Sequence, residues 1–373
     1  MSCGRPCRWS GDLPLMLRRT FLKNAVLATT ASTLLPRASA ATVPAPRLAV
    51  GLDNFAVRAF GWKAPELIAF AASLRCDTLF ISDLEAFESL EDRALRAVRA
   101  QAEAAGLALY VGGWSICPTS KTFRSTYGTA EEHLRLGLRV AQALGSPVYR
   151  AILGNLEDRK TEGGIQARIN DTVAVLKACR DDALRAGVKV AIENHGGDLH
   201  SWECRELIER AGTDFVGCNF DAGNAAWTLE DPMDAFETLG PVTICSSLRD
   251  SMIWTTPEGA AVQWTAPGEG LIDWRALTTR WAQLCPRVPV MIETISGAQR
   301  TFPYRQAEFW AHYDRRPEKL AKFEALAARG RPLTPFRAPP GDEGRAVAQA
   351  FQKAEIEKSI AYLRTTVGLG LRA

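Results

Sequence analysis

The chain has 373 residues, 47% hydrophobic and 23% charged, with a formal net charge of +3 at pH 7, which suits one large globular domain or two ordinary ones. No Lys- or Arg-rich run stands out, so nothing recommends nucleic acid as a partner. Of nine cysteines, Cys3 and Cys7 lie near the start and the other seven are scattered without a Cys-x-x-Cys pair, which argues against a disulfide framework.

Residues 17–23 read Leu-Arg-Arg-Thr-Phe-Leu-Lys, followed by a weakly apolar stretch at 25–35 and then Ala38-Ser39-Ala40. Paired arginines, a modest apolar region and a small-residue cleavage site predict a twin-arginine export signal over 1–40, cleaved after Ala40. The stretch is too short and too rich in Thr and Ser to span a bilayer, so no stable membrane insertion is expected once it is removed. The expected location is periplasmic or otherwise extracytoplasmic. Met16 would give a more compact signal than Met1 and is read as the true start. The segment 1–40 carries six Lys or Arg against one Asp, so the remainder is net −2.

Beyond the signal, strand-like runs at 48–54, 78–82, 108–112, 148–153, 189–194, 215–221, 242–247 and 290–294 alternate with helical patterns. The helical patterns cover 64–74, 90–105, 130–144, 166–186, 202–211, 232–239 and 273–284, with stops at Gly106, Gly145, Gly187 and Gly212. Eight strand–helix units over roughly 250 residues predict an α/β fold, a (β/α)8 TIM barrel spanning 47–300. An open doubly wound sheet lacks support because no strand is followed by a Gly-rich phosphate loop. A long loop at 250–272 holds Trp254 and Trp264 and reads as a lid or specificity loop. Residues 301–373 read as a C-terminal helical extension: a helix to about 329, a Pro-rich link, and a final helix over 343–366.

Three predicted strands end in a carboxylate: Glu193 in Val-Ala-Ile-Glu-Asn-His, Asp221 in Asn-Phe-Asp-Ala-Gly-Asn and Glu293 in Val-Met-Ile-Glu-Thr. In a closed barrel, acids at the carboxyl ends of parallel strands converge on one rim, where oxygen ligands can hold a divalent metal. His195 lies two residues beyond Glu193, on the same side of an extended chain. Trp114 and Trp227 follow strands three and six and are placed to stack on a sugar ring, and Asn224 is placed to orient substrate or ligand. Arg249 with Asp250 either fixes an anionic substrate group or forms a structural ion pair. Arg58, Arg150 and His200 are weaker rim candidates, and His133 sits in a helical pattern as a structural residue.

These motifs, with Leu-Arg-Asp at 248–250, Gly-Glu-Gly-Leu-Ile-Asp-Trp at 268–274 and Ile-Glu-Thr at 292–294, resemble the xylose-isomerase-like barrel family, also called the sugar phosphate isomerase/epimerase family. The resemblance covers about 48–299 and implies a divalent metal, Mn²⁺ or Mg²⁺, on Glu193, Asp221 and Glu293. It implies the two glutamates as the catalytic pair. A small-molecule carbohydrate is the expected substrate, with His195, Asn224, Arg249, Trp114 and Trp254 as the candidates to bind it. Where the family reads His-x-Lys-Asp, this chain has Ser247-Leu248-Arg249-Asp250. Three carboxylates plus water, a nitrogen from His195, or loss of the metal would each account for that. The chemistry expected is isomerisation or epimerisation through a metal-stabilised enediolate. A lyase or decarboxylase acting on an oxidised sugar, or a non-catalytic carbohydrate-binding barrel, are the alternatives. A multi-zinc endonuclease on the same fold is disfavoured by a chain with four histidines.

Overall fold

A computed structural model of the protein describes residues 47–372; the export signal expected over 1–40 lies outside them. Eight parallel strands form the barrel: β1 (Val50–Asp53), β2 (Thr78–Ile81), β3 (Ala108–Ser115), β4 (Val148–Ile152), β5 (Lys189–Glu193), β6 (Val216–Phe220), β7 (Thr243–Ser246) and, later in the chain, β10 (Val290–Ile292). They run in the order β10-β1-β2-β3-β4-β5-β6-β7. Most of their residues are buried, as strands covered on both faces require, with Ala108 and Lys189 exposed at the starts of β3 and β5. The seam between β7 and β10 is closed by a single bridge, Leu248 to Ile292. A side chain reinforces it: Ser246 Oγ donates to the Pro289 carbonyl at 2.8 Å and accepts the Met291 N–H at 3.0 Å.

The helices that wrap the sheet are α1 (Ala64–Ser73), α2 (Asp92–Ala104), α3 (Ala130–Leu144), α4 (Gly164–Ala178), α5 (Arg180–Ala186), α6 (Ser201–Ala211), α7 (Ala222–Trp227), α8 (Pro232–Leu239) and α9 (Trp274–Leu284). Their starts follow from capping chemistry: Thr129 and Glu132 form a reciprocal box at α3, and Asp231 with Pro232 opens α8. The single helix expected over 166–186 is interrupted at Cys179 between α4 and α5.

The long loop after β7 is a hairpin, β8 (Asp250–Thr256) and β9 (Gly259–Thr265), joined by β11 (Gln299–Phe302) into a three-stranded antiparallel sheet. Sequence periodicity hid it because its residues are almost all buried, so in and out do not alternate in polarity. In the C-terminal stretch lie α10 (Leu320–Arg329) and α11 (Gly341–Tyr362). α11 packs on β1, β10 and the 3-10 turn Asn54–Phe60, and its Ile356 and Ile360 belong to the main apolar core. It therefore takes the place of the helix after the eighth strand, with 303–340 as an excursion from the barrel wall. No helix among the described residues is long and apolar enough to cross a membrane. All seven described cysteines are buried free thiols.

His133 on α3 is buried, 3.0 Å from the Tyr149 hydroxyl through Nε2, and its Nδ1 has no partner. Burial lowers its pKa, with Asp83 opposing. The unfolded chain binds a proton on this ring near pH 6.5 and the folded chain only at lower pH. Stability should therefore rise with pH through that window, by at most about 1.4 kcal/mol per pH unit. Urea unfolding at pH 5 and 7 should show this rise in the wild type and a smaller one in His133→Gln; equal slopes would remove His133 from the pH response.

Candidate functional site

The rim is set by the two-residue period of a strand. Val148, Ala191 and Met291 form an apolar layer inside the barrel, so Arg150, Glu193 and Glu293, two residues further on, also turn inward. Asn219 and Asp221 do the same on β6 and its end, and Cys245, Ser247 and Arg249 on β7 and its end. Gly112 on β3 admits Arg150: a Cβ there would lie 2.9 Å from the Arg150 Cβ.

Glu193, Asp221 and Glu293 come together, with ligand oxygens within 4.8 Å of one another, and among the described residues no histidine joins them. Glu193 Oε2 accepts from Arg150 Nε at 2.6 Å and Asn219 Nδ2 at 3.1 Å, and its Oε1 accepts from Asn224 Nδ2 at 3.0 Å. Asp221 caps α7, accepting the Gly223 N–H at 2.8 Å, and its Oδ2 accepts from Asn224 Nδ2 at 2.7 Å and Arg249 Nη2 at 2.5 Å. The same Arg249 nitrogen donates to Glu293 Oε2. Asn224 is thus a buried orienter of two carboxylates.

A fourth acid, Asp53, was missed in the sequence. It ends β1, accepts Ser82 Oγ at 2.7 Å and Ser247 Oγ at 3.0 Å, and is fully buried. Its signal was the same as for the other three, an acid closing an apolar run (Ala-Val-Gly-Leu-Asp). Four carboxyls here face two guanidiniums, Arg150 and Arg249, a shortfall of two positive charges. Burial accordingly raises the Asp53 carboxyl, raises Asp221 to about 7 and raises Glu293 well above the usual glutamate range, with Arg150 opposing at Asp53 and Arg249 at the other two. An all-oxygen donor set short of two charges suits a divalent cation of the Mg²⁺ or Mn²⁺ kind.

Glu293, with Arg150 and Arg249, lines a cavity of about 280 Å³ together with Phe55, Trp114, His195, Trp227, Trp264 and Arg300, whereas Glu193 and Asp221 are fully buried and meet it only through Glu293. His195 Nδ1 lies 2.7 Å from the Gly154 carbonyl, which fixes the proton there and leaves Nε2 as an acceptor. Burial lowers its pKa, so the ring is neutral near pH 7. Asp198 holds this corner by accepting the backbone N–H of His195 at 2.9 Å and of Gly154 at 3.0 Å. Trp227 and Trp264 stack at 4.0 Å, with Arg300 5.1 Å from the Trp227 ring centre and Arg249 4.3 Å from that of Trp264. The two indoles lie between two guanidiniums.

Two placements correct the sequence reading. Trp254 does not line the cavity; it packs with Met252, Ala261, Leu271 and Leu333 on the other face of the hairpin, and Trp264 lines the cavity instead. Asp250 does not pair with Arg249. It ties the hairpin to α9, accepting the N–H groups of Ser251, Gly268 and Ile272 and the indole of Trp274. His200 lies outside this cavity in a buried cluster with Arg159 and Glu203. Arg58 is exposed at the rim, 4.8 Å from the Phe55 ring centre.

A family model described as xylose isomerase-like TIM barrel matches residues 56–311. The uncharacterized protein YihM of Escherichia coli (strain K12) is 24% identical over 214 residues, 57% of this chain and 60% of that protein, so the chain spans less than two thirds of this relative. Among solved structures, D-psicose 3-epimerase in the presence of D-fructose aligns at a TM-score of 0.55, 14% identical, over 86% of this chain and 100% of that one. A xylose isomerase-like TIM barrel protein from Mycobacterium smegmatis in complex with magnesium aligns at 0.51, 14% identical, over 75% and 98%. The IOLI protein with a bound zinc atom aligns at 0.52, 13% identical, over 75% and 96%. At these identities the structural likeness establishes the fold.

Proposed function

Since the chain belongs to the xylose isomerase-like TIM barrel family, we propose that it is a sugar isomerase or epimerase that moves a proton beside a carbonyl. The observation that carries this reading is the convergence of Glu193, Asp221 and Glu293, of which Glu293 opens onto a tryptophan-lined cavity. The trio would hold a divalent metal, Mn²⁺ or Mg²⁺, which when bound supplies Lewis-acid polarisation of a carbonyl oxygen. The fold neighbours, an epimerase and two metal-bound proteins, support the same reading.

The chain's own residues divide the remaining work. Trp227 and Trp264, their faces taken by each other and by Arg300 and Arg249, present ring edges to the cavity, and Trp114 stands elsewhere on its wall with its indole N–H on Asp83 at 3.3 Å. Neutral His195 accepts a substrate hydroxyl through Nε2. Arg150, Asn219 and Asn224 hold Glu193 in one orientation. Glu293, the one acid of the trio that opens onto the cavity, is placed to take and return a proton. The twin-arginine pattern supports action outside the cytoplasmic membrane and therefore on a free, oxidised or glycosidic sugar. Elimination or decarboxylation needs the same stabilised anion and a different leaving group.

The test is deuterium wash-in from D₂O, followed by NMR, on a panel of free ketoses and keto-glycosides with and without a chelator. Exchange at the carbon beside the carbonyl, lost on chelation and restored by Mn²⁺, is the expected result. Sugar binding without exchange on any member would favour the second reading, a carbohydrate-binding barrel, for which the guanidinium lodged on two of the three carboxylates speaks.

A further inference from the structure

The family pattern places an imidazole where this chain has Ser247, and Ser247 is occupied with Asp53. The side chain from this strand end that meets the carboxylates is a cation, Arg249, two residues on and on the same side of the extended chain. One nitrogen of its guanidinium donates to both Asp221 and Glu293, two of the three oxygen donors of the trio.

The surroundings are fitted to that arginine. Its side chain is 2% exposed. Gly223 leaves room for the stem, since a Cβ there would collide with the Arg249 Cγ. The Trp264 ring covers the guanidinium at 4.3 Å, and Trp264 is itself pinned by its indole N–H on the Gly223 carbonyl at 3.0 Å. Counting the bonds above, five of the six oxygens of the trio already accept protein hydrogen bonds; Glu293 Oε1 is the exception. A divalent ion at about 2.0–2.6 Å from an oxygen of each acid could use Glu293 Oε1, but at Asp221, where both oxygens accept protein bonds, it competes with Arg249 on Oδ2. Two cations so close, in a site shielded from water, repel strongly.

We infer that Arg249 is the resident counter-cation of Asp221 and Glu293, and that a divalent metal binds this chain only in exchange for its guanidinium. This rests on the reading of the trio as a metal site. It makes metal affinity a property set by an internal competitor, so the wild type binds weakly while a variant without the guanidinium binds tightly.

The experiment is Mn²⁺ titration of the full chain, followed by electron paramagnetic resonance of the free ion, for the wild type, Arg249→Met and Arg249→Lys. Arg249→Met should bind at least about tenfold tighter than the wild type, and Arg249→Lys, which keeps a cation, within about threefold of it. Equal affinities for wild type and Arg249→Met, or weaker binding by the latter, would overturn the exchange while leaving the metal site standing. No binding by any of the three at millimolar Mn²⁺ would bring down the metal site and the exchange with it. If Arg249→Met fails to unfold cooperatively, the wild type decides: Mn²⁺ should alter its tryptophan emission as the guanidinium leaves Trp264, and Trp264→Phe should abolish that change. An unchanged emission at saturating Mn²⁺ overturns the exchange.

Discussion

Glu293→Gln should lower deuterium wash-in by about a thousandfold or more and leave the fold intact, because a positioned proton carrier is worth about 10²–10⁴ in rate and Gln cannot carry the proton. The substitution is nearly isosteric, so the expectation for stability comes from charge. Glu293 sits with Asp53, Glu193 and Asp221, all of which oppose its ionisation, and with Arg249, which favours it. Replacing one of four acids leaves Arg249 paired with Asp221 and reduces the shortfall of positive charge. The midpoint of thermal unfolding should therefore stay level or rise. A variant that keeps wild-type exchange would remove Glu293 from the chemistry. One that loses exchange and ten or more degrees of stability together would make it a structural acid.

The largest effect on stability is expected well away from the cavity. Arg159, with its side chain 1% exposed, bonds Glu203 through Nη1 at 3.2 Å and again through Nη2, reaches the Gly197 carbonyl at 3.3 Å and lies 4.6 Å from the Tyr313 ring centre. His200 Nδ1 is 3.0 Å from both partners. One arginine thus joins the turn after β4, the start of α6 and the excursion before α10. Burial would raise the Glu203 carboxyl, but His200 and Arg159 outweigh it and hold the group below its ordinary range. Glu203→Ala should cost about 3–5 kcal/mol in urea unfolding at pH 7, since it strands a buried guanidinium. The wild-type contribution is present above the ordinary glutamate pKa, about 4.3, and is lost as the pH falls below it. A cost below about 1 kcal/mol would mean that water reaches the cluster and solvates the arginine.

The strands and three of the four acids were legible because both signals are local. A short β-branched run closed by Asp or Glu needs no knowledge of its neighbours. Asp53 carries that signal too, but Gly51 weakens its run, and a 3-10 turn rather than a helix follows it. What could not be read locally depends on register. Arg150 meets Glu193 only because Ile152 lies opposite Glu193 in the ladder, which sets the two inward side chains one step apart. Trp254 and Trp264 differ in the same way. They belong to paired strands of one hairpin, and only the pairing reveals which indole faces the cavity. Adjacency in sequence suggested Arg249 with Asp250, yet successive residues of an extended chain point to opposite sides.

The thin seam between β7 and β10 gives the site an order of assembly. Glu193, Asp221 and Arg249 all precede β10, whereas Glu293 arrives with it, so Arg249 spans the joint and is held from both banks. A nascent or partly folded chain whose last strand is undocked has a gap in its wall and half a binding site. Any ligand that engages Glu293 together with an earlier acid therefore acts as a clasp on the barrel, and occupancy should slow its opening as well as stabilise it.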